Sequence, residues 1–337
     1  MRKALIFGAS GQMARTLAPM LAGQGWQVDA VTRAGRPLPP ELEPFVGHVP
    51  HGESRAATIR VGGGYDAVFD PMALGARDAA DLLAAQADVG QFCVISTASI
   101  YADAEGRSLE SSGATGFPRF PRMIVESQAT VAAGEGYSSG KVAMEQAFAS
   151  ANATILRAGA IYGIGARHPR EWWLVKRLLD GRREIPLIDA GGNIFQTSSA
   201  SGIASLAMHC LQHGHTGIYN AADPQALTVA QIAAAVAKAM DREVTLIAVD
   251  DLPDHLSHVG FSPWSCEYPL RLSTAKARAL GWDGGPPYES QLPAYIAWLC
   301  QHAATWQDDF PAFAAYGHDP FDYIAEDVAL RQAVRLS

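Results

Sequence analysis

Several things are scarce in this 337-residue chain, and each scarcity closes off a class of function. No apolar run approaches the roughly 18 residues that a transmembrane helix needs. Met1-Arg2-Lys3 leads straight into an apolar strand rather than a signal peptide, so the expectation is a cytoplasmic protein with no membrane partner. Cysteine is rare: Cys93, Cys210, Cys266 and Cys300 are scattered, with no Cys-x-x-Cys spacing. That excludes a disulfide scaffold and predicts reduced, partly buried thiols. Basic residues are outnumbered, 26 Lys and Arg against 34 Asp and Glu, for a net charge of −8. An acidic balance disfavours nonspecific binding to nucleic acid or anionic membranes. Internal repeats and low-complexity tracts are also lacking. What remains is 48% hydrophobic and 18% charged, enough to bury one large domain and a smaller lobe.

Short apolar runs alternate with helix-forming segments through the first half. Strands are expected near 4–8, 27–32, 66–70, 92–96 and 154–158, and helices near 12–22, 76–87 and 138–151. This rhythm predicts a Rossmann-type α/β fold, a doubly wound parallel sheet. Residues 103–136, rich in Gly, Pro and Ser, read as a long insertion that passes near the site. The division expected is 1–160 for the dinucleotide-binding domain and 161–337 for a substrate-binding α/β lobe interleaved with the core. Helices near 171–179, 201–212, 229–240 and 288–300 and strands near 218–221 and 244–249 are assigned to that lobe.

Three segments carry chemistry. Ala4-Leu5-Ile6-Phe7-Gly8-Ala9-Ser10-Gly11-Gln12-Met13-Ala14 reads as strand, turn and helix. Gly8 permits a tight turn, Gly11 lets the backbone approach a pyrophosphate, and Ala14 allows close helix packing. A second strand ends in hydroxyls, Ser96-Thr97-Ala98-Ser99, at the carboxyl edge where open α/β sheets bind ligands. Third, Tyr137 and Lys141 stand four residues apart, about one helical turn, so phenol and ammonium share a helix face. A neighbouring cation favours phenolate and suits the tyrosine to acid/base work.

Together with Leu156-Arg157-Ala158-Gly159-Ala160-Ile161-Tyr162-Gly163, these segments resemble the extended short-chain dehydrogenase/reductase family, also called the NAD-dependent epimerase/dehydratase family. The resemblance implies that Thr97 polarises a substrate oxygen, Tyr137 is the acid/base, and Lys141 holds the nicotinamide ribose. It implies cofactor contacts from Gly8, Ser10, Gly11, Gln12, Met13, Met72, Ser96, Tyr137, Lys141, Ala158, Ala160 and Ile161. Ser99 and Tyr101 are expected beside the substrate, and a homodimer is possible. The activity implied is an oxidoreductase that reduces a carbonyl or oxidises an alcohol. The alternative is an epimerase with tightly bound nicotinamide acting on a sugar or sugar nucleotide. A noncatalytic relative that senses dinucleotide or binds RNA is a third reading, disfavoured by the retained Tyr137 and Lys141.

Cofactor choice turns on the end of the second strand, Val28-Asp29-Ala30-Val31-Thr32-Arg33. Enzymes preferring NAD place an acid there, but Thr32 holds that position, and Arg33, helped by Arg36 and Ser10, favours NADP(H) over NAD(H). Phe195 and Gly202 stand where sugar-nucleotide members carry Arg and Asp, which argues against a nucleotide-sugar substrate. Ala98 and Ser99 replace the Asp-Glu pair of the dehydratases. Arg167, Arg170 and Trp173 form a basic and aromatic cluster with two readings: a clamp for an anionic small-molecule substrate, or an amphipathic helix with its tryptophans turned inward. His209, His213 and His215 have no obvious further ligands nearby, so surface imidazoles are expected there and at His255 and His258, and no metal.

Overall fold

The computed structural model describes residues 1–32 and 36–336. It divides into two units, the first comprising Met1–Ile161, Ser198–Pro224 and Leu272–Pro286, the second Tyr162–Thr197, Gln225–Arg271 and Pro287–Ser337.

The first unit is built on a seven-stranded parallel sheet. Its strands are β1 (Lys3–Phe7), β2 (Gln27–Val31), β3 (Gly47–His48), β4 (Tyr65–Asp70), β5 (Val89–Thr97), β6 (Ala153–Ala158) and a last strand, Gly217–Ala221. Across the sheet the order is Gly217–Ala221, β6, β5, β4, β1, β2, β3. The chain reverses its direction of growth between β1 and β4, which places a topological switch point at their carboxyl ends. Alternation along the strands feeds two hydrophobic layers: Ala4, Ile6, Phe69, Cys93 and Leu156 enter one, and Leu5, Phe7, Val68, Val94 and Ile155 the other. Helices α1 (Gln12–Gly23) and α7 (Ala200–His213) pack in the first layer, and α2 (Arg55–Val61), α3 (Ala76–Leu83) and α5 (Tyr137–Ala147) in the second. Helix 200–213 and strand 217–221 were expected in the substrate lobe; instead they belong to the first unit. The cause is that Ile203, Leu206, Ala207 and Cys210 supply an apolar stripe complementary to Leu17, Ala18 and Leu21.

The insertion folds around one carboxylate. Asp103 accepts hydrogen bonds from the backbone N–H groups of Glu105, Arg107 and Arg119 and from the Arg107 guanidinium. Burial alone would raise its pKa, but these donors hold it down to about 2. A short helix, α4 (Ser112–Thr115), follows.

In the second unit, α6 (Trp172–Leu179), α8 (Val229–Ala239) and the helix Tyr288–Gln301 surround aromatic side chains, beside a two-stranded parallel sheet of Glu184–Leu187 and Thr245–Ala248. The C-terminal helix Tyr323–Leu336, not expected from the sequence, lays Ala325 and Ala329 against Val249, Leu256 and Val259. Cys93, Cys210 and Cys266 are buried and all four thiols are free. Among the described residues no helix is long and apolar enough to cross a membrane.

Candidate active site

The switch point opens onto the glycine turn. Gly8 adopts φ +70°, and a Cβ there would come within 3.0 Å of the Met72 side chain. A Cβ on Gly11 would meet the Gly8 carbonyl at 3.2 Å. Gly11 caps α1 without any side-chain hydrogen bond, so the first N–H groups of the helix point outward as an anion-binding end. Gln12 Oε1 is buried with no hydrogen-bond partner among the described residues, as is Ser96 Oγ. A glycine cradle, an uncapped helix end and two orphaned polar atoms together fit a dinucleotide. Met13 faces the core, so only its backbone can contribute, and Ser10 lies in the turn. Met72, half exposed, is fixed by its N–H donating to Asp70 at 2.6 Å, and Asp70 is itself paired with Arg55.

At the end of the second strand, buried Thr32 donates its hydroxyl to the Arg36 carbonyl at 2.7 Å and lies 3.0 Å from His48 Nε2. The Arg36 side chain is exposed. Arg33 lies outside the described residues. Asp29 accepts the Tyr65 hydroxyl at 2.9 Å and pairs with Lys3, a structural role at the strand edge.

Beyond β5 the hydroxyls form a chain. Thr97 Oγ1 lies 3.1 Å from Ser99 Oγ, which accepts from Ser138 Oγ at 3.0 Å. Ser138 and Tyr137 open α5, and their N–H groups donate to the Glu110 carboxylate at 2.8 and 3.1 Å. Hydrogen bonds from Ser138 hold the Glu110 carboxyl below its ordinary value. The insertion thus supplies an acid for the first turn of the helix that carries Tyr137. Tyr137 itself is 55% exposed.

One turn later Lys141 is buried, its ammonium donating to the Ala73 and Ile95 carbonyls at 2.7 and 2.6 Å. Burial lowers its pKa to about 8, against the opposing pull of Asp70, Asp78 and Glu145. A further turn on, Glu145 makes a paired hydrogen bond with Arg157 of β6 at 3.0 and 2.6 Å, both residues buried. This pair pins α5 against the sheet. Ala158 is the register partner of Thr97, and Ala160 and Ile161 follow it.

Tyr101 corrects the expectation of a substrate contact. It is fully buried, donates to Asn220 Oδ1 at 2.6 Å and accepts from Arg157, because β6 offers its ring a covered polar network rather than an open edge. Trp173 is likewise buried, in the second unit, with the Arg177 guanidinium 3.6 Å from its ring centroid. Its ring is engaged in packing, and Arg177 of the same helix is buried with it rather than facing water. Arg170 lies over the Phe195 ring at 5.7 Å, and Arg167 is exposed. Nearby, burial raises the Glu171 carboxyl to about 7 although Tyr288 and Tyr295 both donate to it.

Ser138, Glu110 and Glu145 were not singled out from the sequence. Glu145 had a usable signal, four residues beyond Lys141 on the same helix. Glu110 had none, since its partners lie 27 and 28 residues away.

No protein-family model matches the sequence, and no curated protein matches it. Solved structures do match in fold. WbmH of Bordetella bronchiseptica, determined with NAD+, aligns with a TM-score of 0.66 at 16% identity over 90% of this chain and 99% of that one. UDP-N-acetylglucosamine 4-epimerase of Methanobrevibacter ruminantium, with UDP-N-acetylmuramic acid, gives 0.68 at 13% over 89% and 99%. UDP-glucose 4-epimerase of Thermus thermophilus, with NAD, gives 0.65 at 16% over 88% and 99%. The chain therefore shares the fold of the nucleotide-sugar epimerases, the Rossmann-type fold of the extended family that its own motifs resemble.

Proposed function

We propose that the chain is a nicotinamide-dinucleotide-dependent enzyme of the extended short-chain dehydrogenase/reductase type, acting at a secondary alcohol or its ketone. The observation that carries this reading is the buried Lys141 ammonium one turn beyond an exposed Tyr137, beside the hydroxyl chain at the end of β5. Gly8, Ser10, Gly11 and the N–H groups of Gln12 and Met13 would hold the pyrophosphate, with Met72, Ser96, Ala158, Ala160 and Ile161 along the groove. Bound there, the cofactor would supply hydride exchange at the carbinol carbon. Thr97 orients the substrate oxygen, with Ser99 behind it. Tyr137 takes the hydroxyl proton during oxidation and returns it on reduction. The charged Lys141 stabilises the phenolate that precedes proton uptake and follows proton return, so its contribution fades as pH rises through about 8.

The fold neighbours favour an epimerase, in which the substrate carbon is oxidised and then reduced again with no net consumption of cofactor. A net NADPH-dependent carbonyl reductase is the second reading, favoured by Thr32 in place of a ribose-binding acid and by Phe195 and Gly202 in place of diphosphate-binding residues. A solvent-exposed Arg36 fits the 2′-phosphate of NADP(H) in either case. One experiment separates the readings: incubate the purified chain with UDP-hexoses or simple ketones and each dinucleotide, following absorbance of the reduced cofactor and sugar stereochemistry by NMR. Epimerised sugar without net cofactor turnover supports the first reading, steady NADPH loss the second. Failure to bind either dinucleotide sinks both.

A further inference from the structure

Three imidazoles converge at the carboxyl end of α7. One ligand nitrogen from each of His209, His213 and His215 lies within 4.8 Å of the other two. The sequence suggested surface imidazoles, because no further ligands were evident beside these three, and it could not show that the three meet. The fold brings them together: α7 stops at His213, Gly214 turns with φ +69°, and the His215 N–H donates to the Cys210 carbonyl at 2.9 Å, folding that residue back beside the helix.

The ring nitrogens are already oriented. His209 Nε2 is 3.0 Å from the Leu280 carbonyl and His213 Nδ1 is 2.9 Å from the His209 carbonyl. A carbonyl only accepts, so each of these nitrogens carries the hydrogen, and the lone pair of the neutral ring resides on His209 Nδ1 and His213 Nε2. Backbone carbonyls fix the tautomer of metal-binding histidines in just this way. The negative end of the α7 dipole adds a field that favours a cation.

We propose that His209, His213 and His215 form a three-imidazole site for a late first-row divalent cation, Zn2+ foremost, with water completing a tetrahedron. Imidazole nitrogen suits such ions, whereas Mg2+ and Ca2+ require oxygen ligands. Bonds of about 2.0–2.1 Å place tetrahedral ligand atoms roughly 3.3 Å from one another, so binding would draw the three imidazoles closer than the 4.8 Å within which they now converge. The ion would tie the end of α7 to the sheet, because the His215 carbonyl accepts from Gln91 Nε2 and Thr154 Oγ1, both at 2.7 Å. This inference stands apart from the proposed activity.

The test is isothermal titration of the chelator-stripped 337-residue chain with ZnCl2. One equivalent should bind and raise the melting temperature, and MgCl2 should do neither. His213→Ala, an exposed position whose loss leaves the fold intact, should weaken binding at least about tenfold. His51→Ala, outside the cluster, should leave binding unchanged. No Zn2+ binding, or a smaller loss in His213→Ala, would overturn the assignment.

Discussion

The carboxyl end of β5 with the start of α5, and helix α6 with its surroundings, both gather ionisable and hydroxyl side chains, yet they differ in how far those groups are exposed and engaged. In the first, Lys141 gives two of its three N–H groups to carbonyls, Ser96 Oγ is orphaned, and the Tyr137 phenol makes no hydrogen bond among the described residues. In the second, Arg177 stacks on Trp173, donates to the Trp173 and Pro320 carbonyls and pairs with Glu326, while Glu171 receives two tyrosine hydroxyls. Residue types alone do not separate chemistry from packing, and neither does an orphaned atom, since Trp172 Nε1 and Glu326 Oε2 around α6 also lack a hydrogen-bond partner among the described residues; what differs is access, with Tyr137 exposed and Arg177 and Glu171 buried.

The sharpest way to break this contrast is Tyr137→Phe. It should lower kcat by about 10²–10⁴-fold, while stability stays within about 0.5 kcal/mol because the ring is half exposed. Steady-state rates and a urea midpoint measure the two effects, and a fully active variant would end the assignment of Tyr137. Arg177→Met should show the opposite profile in denaturant, a loss of about 3–5 kcal/mol from stranding buried Glu326. Arg177→Met combined with Glu326→Leu should recover much of that loss. A single variant within about 1 kcal/mol of the parent would mean that the pair is not a packing element.

Lys141 links stability to pH. Its folded pKa of about 8 lies below the ordinary 10.5, so between those values the unfolded chain binds more protons than the folded one. Folding stability therefore carries a penalty below about pH 8 that is relieved as pH rises toward 10.5. The lowered value corresponds to about 3 kcal/mol, and Lys141→Met should remove most of this component from the difference between pH 7 and pH 10. Identical pH slopes in the two proteins would refute it. The smallest effect is expected from Ser138→Ala, which severs the link to Ser99 at about 1 kcal/mol in a thermal or urea melt, with a milder loss of rate than Tyr137→Phe.

Local signals made part of this legible. Alternating apolar strands, the Gly8 turn and the Tyr137–Lys141 spacing each depend on neighbours a few residues apart, and the parallel sheet follows from their rhythm. Position of α7 was not legible, because an apolar stripe does not say which sheet face it covers. Tyr101 shows a second limit: a residue two positions beyond Ser99 looks exposed at a strand end, until Asn220 and Arg157, 119 and 56 residues away, close over its hydroxyl. Arg177 finds Glu326 across 149 residues, beyond any local pattern.

Glu110 has a consequence for how this chain can change. Because the carboxylate that seats the opening turn of α5 arrives from a loop 27 residues upstream, remodelling that loop, by exchange or by shortening, would be felt at the phenol even where no reacting group is touched. Diversity in the loop and the setting of the Tyr137 phenol would then evolve as a single trait.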